Sequence, residues 1–561
     1  MGDGKNLTRR GFIAGGAVAG AAALVATPYE RLLNALSTGF IHQAQAEATG
    51  NLGARNYINI LIAGGPMRYT FDAWMRTNPS DAPLEYNPMV ATKLVRSGNN
   101  IVGTEYATFN YNGVMVPHMF SQSVTTSAGA KALTDLLNNM LVIRGFGTGF
   151  DGHPFNATIQ QAPVGGVSSV MGLAADYSKK TFEAVEWPDR GAYGNYASMS
   201  GKALNILTGN PLNSLLEGFG GPAADRAKGR SLKDRNREAF DLAQARLRAY
   251  SQSEFAGSTI LSKNLSNASD LMKKGIGNIG SYWDGAVARY RSVIEASMRQ
   301  QGLVGINDVA MVSSQNEFWR VHVADGNRGL VVSSDSDLRE SIKTMSAPGS
   351  LAEGLALAEY VLKEGLVSTM NLQMGDPAGL MIKDAANGVV GNHVAIKDMH
   401  ETGAIPGVLI TTAYYRGLCA GMLELIEQLK KSKVNGVDLW SETVIQVISE
   451  FNRTARTNGS GSDHGFNQMV TSVFSGAIKS GPFVVGNIYR AGHGGGYVGT
   501  QGRAAPIDGY NQKGMPSPTM AASTVTALLR VPKNPYENLA EPLIRLNGDQ
   551  LQILKAAKLV G

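Results

Sequence analysis

"ETVIQVISEFNRTARTNGSGSDHG" (residues 442–465) joins a strand-like run to a glycine-rich loop. Val444, Ile445, Val447 and Ile448 make the short β-branched run that a fully buried strand shows. Glu450 stands at the end of that run, Arg453 and Arg456 follow, and the loop closes on Asp463-His464-Gly465. Gly459, Gly461 and Gly465 permit tight backbone turns that would present an acid and an imidazole side by side. Such a pair at a strand end can bind a divalent metal. It can equally be a surface loop whose acids pair with Arg453 or Arg456, and the residues alone leave both readings open.

Comparable runs recur along the chain. "NYINILIAGGP" (56–66), "NMLVIRGFGTG" (139–149), "DVAMVSS" (308–314), "LVSTMNLQMG" (366–375) and "PFVVGNIY" (482–489) each predict a strand. Between them lie helical patterns. Residues 403–433 keep an apolar stripe and end in lysines, which suit a helix C-terminus. Strands alternating with helices predict an α/β fold with a mostly parallel sheet flanked by helices. Residues from about 223 to 301 are charged and helix-like, and predict a helical insertion. In parallel α/β sheets ligands bind beyond the C-terminal strand ends, so the polar residues just after each strand are where chemistry is expected.

Composition narrows the classes. The 561 residues are 43% apolar and 17% charged, which fits a globular chain. A net charge of +6 is modest for this size, and no Lys/Arg run carries interleaved aromatics, so nucleic acid is not an expected partner. A lone cysteine, Cys419, excludes an intrachain disulfide; set in an apolar helical pattern, it reads as a small buried hydrophobe.

At the N-terminus, Lys5, Arg9 and Arg10 precede an uncharged run from Gly11 to Pro28, the layout of an export signal. Thr8-Arg9-Arg10-Gly11-Phe12-Ile13 resembles the twin-arginine pattern. Residues 1–46 are therefore expected to be signal and linker, cleaved after Ala44-Gln45-Ala46, with 47–561 as the α/β domain. The twin-arginine translocation machinery is the expected partner and the periplasm or exterior the expected location, with no stable membrane span in the mature form.

Two further strand ends carry chemistry. "DMH" offers Asp398 and His400, and an Asp-x-His turn can give one metal an oxygen and a nitrogen. "FDGHPFNA" carries His153 after the second strand. His118 and His322 sit among apolar residues and read as structural, whereas His393 and His493 are further candidate ligands.

Taken in order, the twin-arginine signal, strand–"AGGP"–"TFD", "LVIRGFGTGFDGH", "DMH" and "SEFNRTARTNGSGSDHG" resemble the DUF1501 family of exported bacterial proteins. That family is similar to the alkaline phosphatase/sulfatase superfamily, so the resemblance implies that fold. It also implies one or two divalent metals (Zn, Ca, Mg or Mn) held by Asp398, His400, Glu450, Asp463, His464 and His153. Arg453 would steady a substrate anion, and Thr148, a candidate catalytic residue, or the Ser168-Ser169 pair would lie near the site, with no motif that marks either as the nucleophile. The chain departs from the family pattern twice. "GGPMRYTFD" lacks the first acid of that motif, which leaves Asp72 as its substitute ligand. About 20 residues are inserted between the strand at 366–375 and Asp398, a loop length uncommon in a compact core unless functional. The implied activity is metal-dependent hydrolysis of a small phosphate or sulfate ester. The rival reading is a non-catalytic periplasmic binding or assembly protein on the same fold.

Overall fold

The computed structural model describes residues 53–76, 88–97, 100–178, 180, 184–211, 214, 282–299, 320–321, 330–331, 347–375, 382–384, 388–391, 399–434, 436–456, 461–488, 504–505, 516–547 and 550–554. The export signal, most of the expected insertion, the expected strand at 308–314, and Asp398, His322, His393 and His493 lie outside them. The chain divides into two compact units. One gathers Met1–Leu52, Lys179–Thr181 and Gly209–Asp284; the other, Gly53–Ser178, Phe182–Thr208 and Gly285–Gly561, holds the sheet and the site.

Ten strands matter here: β1 (Asn56–Ile62), β2 (Met140–Phe146), β3 (Ala184–Trp187), β4 (Leu204–Ile206), β5 (Thr369–Met374), β6 (Thr443–Ser449), β7 (Asn452–Ala455), β8 (Ser462–Gly465), β9 (Met469–Ser475) and β10 (Phe483–Val485). Eight of them form one sheet in the order β4-β3-β5-β1-β6-β9-β2-β10. Every neighbouring pair is parallel except the two made by β9, which alone runs against the rest. The fold is thus α/β with a mostly parallel sheet. Strands β7 and β8 form a separate hairpin between β6 and β9.

Helices cover both faces, as a parallel sheet requires. They are α1 (His153–Gln161), α2 (Val170–Asp176), α3 (Leu351–Lys363), α4 (Ala404–Lys430) and α5 (Pro518–Leu528). Every residue of β1 is buried, and its side chains alternate between the two faces. Tyr57 joins Leu141, Val444 and Val473 in the core that α2 and α5 close. Ile58, Ile60 and Ile62 point the other way. There Leu372, level with Ile60, packs under Gly354 of α3. Helix α4 starts and ends within three residues of its expected limits. It is buried almost all round, Cys419 included, and burial pushes that thiol far up from its ordinary value.

A polar row crosses this apolar sheet. Glu186, Asn371, Asn59 and Gln446 are register partners on β3, β5, β1 and β6, and all four are buried. Asn371 donates to Glu186 and Asn59 donates to Asn371, each at 3.1 Å. Gln446 accepts from the Tyr57 hydroxyl at 2.6 Å and donates to Thr471 at 3.0 Å. Burial lowers the pKa of the nearby Arg190 to about 10, against the opposing pull of the Glu186 charge.

Candidate metal centre

The C-terminal ends of β1, β2 and β6 meet along one edge of the sheet. Past β1 the chain turns sharply through Gly64 (φ 92°) and Gly65 (φ 56°), backbone angles that glycine alone adopts without strain. A Cβ on Gly65 would lie 2.5 Å from the Phe451 ring, so the turn has room only for hydrogen there. The Gly64 N–H donates to Glu450 Oε1 at 2.7 Å. Glu450 is 1% exposed, and its other oxygen, Oε2, is paired with Nδ1 of His153 at the start of α1. Helix α1 is anchored at the same place, since Gln160 donates to the Ser449 carbonyl at 2.6 Å.

The hairpin supplies the rest. Arg453 of β7 faces His464 of β8, and Thr454 faces Asp463. Ring centroids place His464 4.7 Å from His153, 4.7 Å from His400 and 4.4 Å from Phe451. His400 sits in the turn Met399–Glu401, tied to β8 by the Ser462 hydroxyl donating to the Met399 carbonyl at 3.0 Å. Nδ1 of His464 lies 2.5 Å from Asp151 Oδ1, and Nδ1 of His400 lies 3.7 Å from Asp463 Oδ1. Asp463 also accepts from Arg456 at 3.1 Å. All three imidazoles thus turn Nδ1 toward a carboxylate, and among the described residues Nε2 of His464 is a buried atom with no hydrogen-bond partner.

Two imidazoles held by carboxylates, with a third 3.7 Å from one, are donor groups that a divalent ion can use. Among the described residues no three His, Cys, Asp or Glu side chains converge into a ready-made ion cage. The side chains are instead paired with one another. The donor set fits a metal in kind, through an orphaned imidazole nitrogen and its two neighbouring rings.

Five of the seven expected ligands therefore come together: His153, His400, Glu450, Asp463 and His464. Asp398 lies outside the described residues. Asp72 is not with them. It forms a wholly buried ion pair with Arg68 four residues back and accepts from Ser472 at 2.6 Å, so its oxygens serve the core. Arg453 is placed at the glycine turn. Its guanidinium donates to the carbonyls of Gly65 (2.6 Å) and Gly64 (2.9 Å) and stacks over Phe451, so it braces the glycine turn from a fully buried position. Thr148 donates to Asn156 and lies 3.3 Å from the Phe466 carbonyl, which ties its hydroxyl into its own loop. Ser169 caps α2, and Ser168 bonds Asp176 at 2.6 Å.

Asp151 had no part in the sequence reading, although its place two residues before His153 in "FDGH" was a signal. Beside it, Phe150 and Phe155 pack together with centroids 4.5 Å apart while each stays about half exposed. Tyr193 borders the site too: partial burial, then the Glu450 charge, raises its phenol pKa. No protein-family model matches the chain, and no match is found for it among curated proteins or solved structures.

Proposed function

We propose that this protein is an exported, metal-dependent hydrolase of phosphate or sulfate esters, built on an alkaline phosphatase/sulfatase-like fold. One observation carries the reading: His153, His400 and His464 cluster at the C-terminal edge of a mostly parallel sheet, each with Nδ1 against a carboxylate. The order of motifs shared with the DUF1501 family supports it, as does the twin-arginine-like N-terminus. Such a site would draw on the Nε2 atoms of the three histidines and on Asp463. A Zn, Ca, Mg or Mn ion bound there would polarise the ester oxygen.

The chain's own residues do the rest. Glu450 holds His153 and is itself held by the Gly64 amide, which fixes the floor of the site in a buried position. Arg453 keeps the glycine turn closed around Phe451. Phe150 and Phe155 present an exposed apolar surface next to His153, suited to a flat, apolar alcohol group on the ester.

A second reading, a non-catalytic binding or assembly protein, is favoured by the engagement of Arg453 and Thr148 in structural hydrogen bonds. Metal analysis of the purified folded chain separates the two. Bound divalent metal that is lost in Asp463→Ala/His464→Ala, with hydrolysis of aryl phosphate or aryl sulfate esters, supports the enzyme. A chain that takes up no Zn, Ca, Mg or Mn rules it out.

A further inference from the structure

We propose that Asp151 is the positioning residue of this site, fixing His464 as the Nδ1–H tautomer so that the Nε2 lone pair is the one presented to a cation. The inference rests on the metal-centre reading and adds to it a residue and a role.

The argument is one of proton placement. Neutral imidazole carries a single N–H. With the proton on Nδ1, His464 donates to Asp151 Oδ1 across 2.5 Å, a charge-assisted hydrogen bond. With the proton on Nε2, two lone pairs would face each other across that distance. A buried N–H would also be left without an acceptor, because among the described residues Nε2 of His464 has no hydrogen-bond partner. Both terms favour the Nδ1–H form.

The surroundings hold the ring in place. His464 has His153 and His400 on two sides and Phe451 on a third. A flip of the ring about Cβ–Cγ would exchange Nδ1 with Cδ2, put a C–H against Asp151 and lose the hydrogen bond. The pattern repeats at His153, whose Nδ1 faces Glu450. That acid is buried beneath the site and also accepts from the Gly64 amide, so removing it disturbs the fold. The Asp151 side chain is 54% exposed, so it can be changed with little effect on packing.

The test uses the full chain as wild type, Asp151→Ala and Asp151→Asn. The tautomer of His464 is read by nitrogen-15 NMR of the metal-free protein, and zinc affinity by calorimetric titration with zinc chloride. Asp151→Ala is expected to shift His464 away from the Nδ1–H form and to weaken zinc binding by about 10- to 100-fold, with the urea midpoint unchanged. Asp151→Asn keeps an acceptor oxygen and is expected to restore the tautomer and part of the affinity. An unchanged tautomer and unchanged zinc affinity in Asp151→Ala would overturn the role given to Asp151, whether or not zinc binds the wild type. A wild type that takes up no zinc, but whose His464 tautomer still depends on Asp151, would leave that role standing and count against the zinc site.

Discussion

The Gly64 amide donates to Glu450 Oε1 at 2.7 Å across 386 positions of sequence, joining the turn after β1 to the end of β6. The same carboxylate holds His153 through its second oxygen. Backbone geometry and ligand orientation therefore meet in one side chain.

Replacing Glu450 should separate those two tasks. Glu450→Ala leaves the buried Gly64 N–H without its acceptor, and urea denaturation should show a loss of about 1–3 kcal/mol. Glu450→Gln keeps an acceptor for Gly64 but turns its amide toward Nδ1 of His153. It should stay close to wild-type stability while zinc affinity drops on the order of tenfold or more.

Asp72 makes the opposite prediction. Removing one member of a buried ion pair strands the other charge, so Asp72→Ala should cost about 3–5 kcal/mol in denaturant unfolding. Metal bound per folded molecule should not change, because Asp72 serves Arg68 and Ser472. Metal loss from protein shown to be folded would restore Asp72 to the ligand set.

Gly65→Ala tests the turn. A residue with a side chain at φ 56° is strained by about 1–3 kcal/mol, and its Cβ would press on the Phe451 ring. Phe451 packs against both His153 and His464. A lowered thermal midpoint should therefore come with altered imidazole NMR shifts at both histidines, an effect that strain confined to the turn would not produce.

Acid sensitivity should be traceable to Glu424. Burial pushes its pKa up, but hydrogen bonds from the Ser127 hydroxyl and amide and from Gln428, with the Arg289 charge, outweigh that and hold it below the ordinary 4.5. A carboxylate with a depressed folded pKa adds stability above its unfolded value, and that stability is lost as pH falls through the folded one. Ser127→Ala should thus be less stable than wild type at pH 7. The gap in urea midpoints should narrow as the pH is taken below 4.5. A constant gap would mean that Ser127 acts through packing alone.

The strands legible in the sequence are those with apolar runs, and β1, β2, β5, β6 and β10 lie within their expected segments. Strand β9 was missed because Thr471, Ser472 and Ser475 break its apolar pattern. They are buried because each has a partner: Gln446, Asp72 and the Thr443 carbonyl. Strand β3 was missed because it is four residues long and carries Glu186. At the site, Glu450, Asp463 and His464 were legible from their position after a strand, and His153 from its motif. The parts that were not depend on long-range pairing. Arg453 looked free for an anion until the Gly64–Gly65 turn claimed it. Asp72 looked like a ligand because the bond from Ser472, 400 positions away, that helps settle it in the core has no local sign, although Arg68 four residues back is one for an ion pair.

The polar row through the sheet has a consequence for assembly. Parallel strands must find partners far away in sequence, and a run such as Tyr57–Ile62 could align with a neighbour in more than one way. A slip of two positions would keep every side chain on its own face and leave the oily contacts nearly unchanged. It would also set Asn371 beside Tyr57 or Leu61 in place of Asn59, with an amide sealed away from water. Four polar side chains thus act like the pins of a lock, admitting one alignment of β3, β5, β1 and β6 and so setting which strand ends stand level when the histidines arrive.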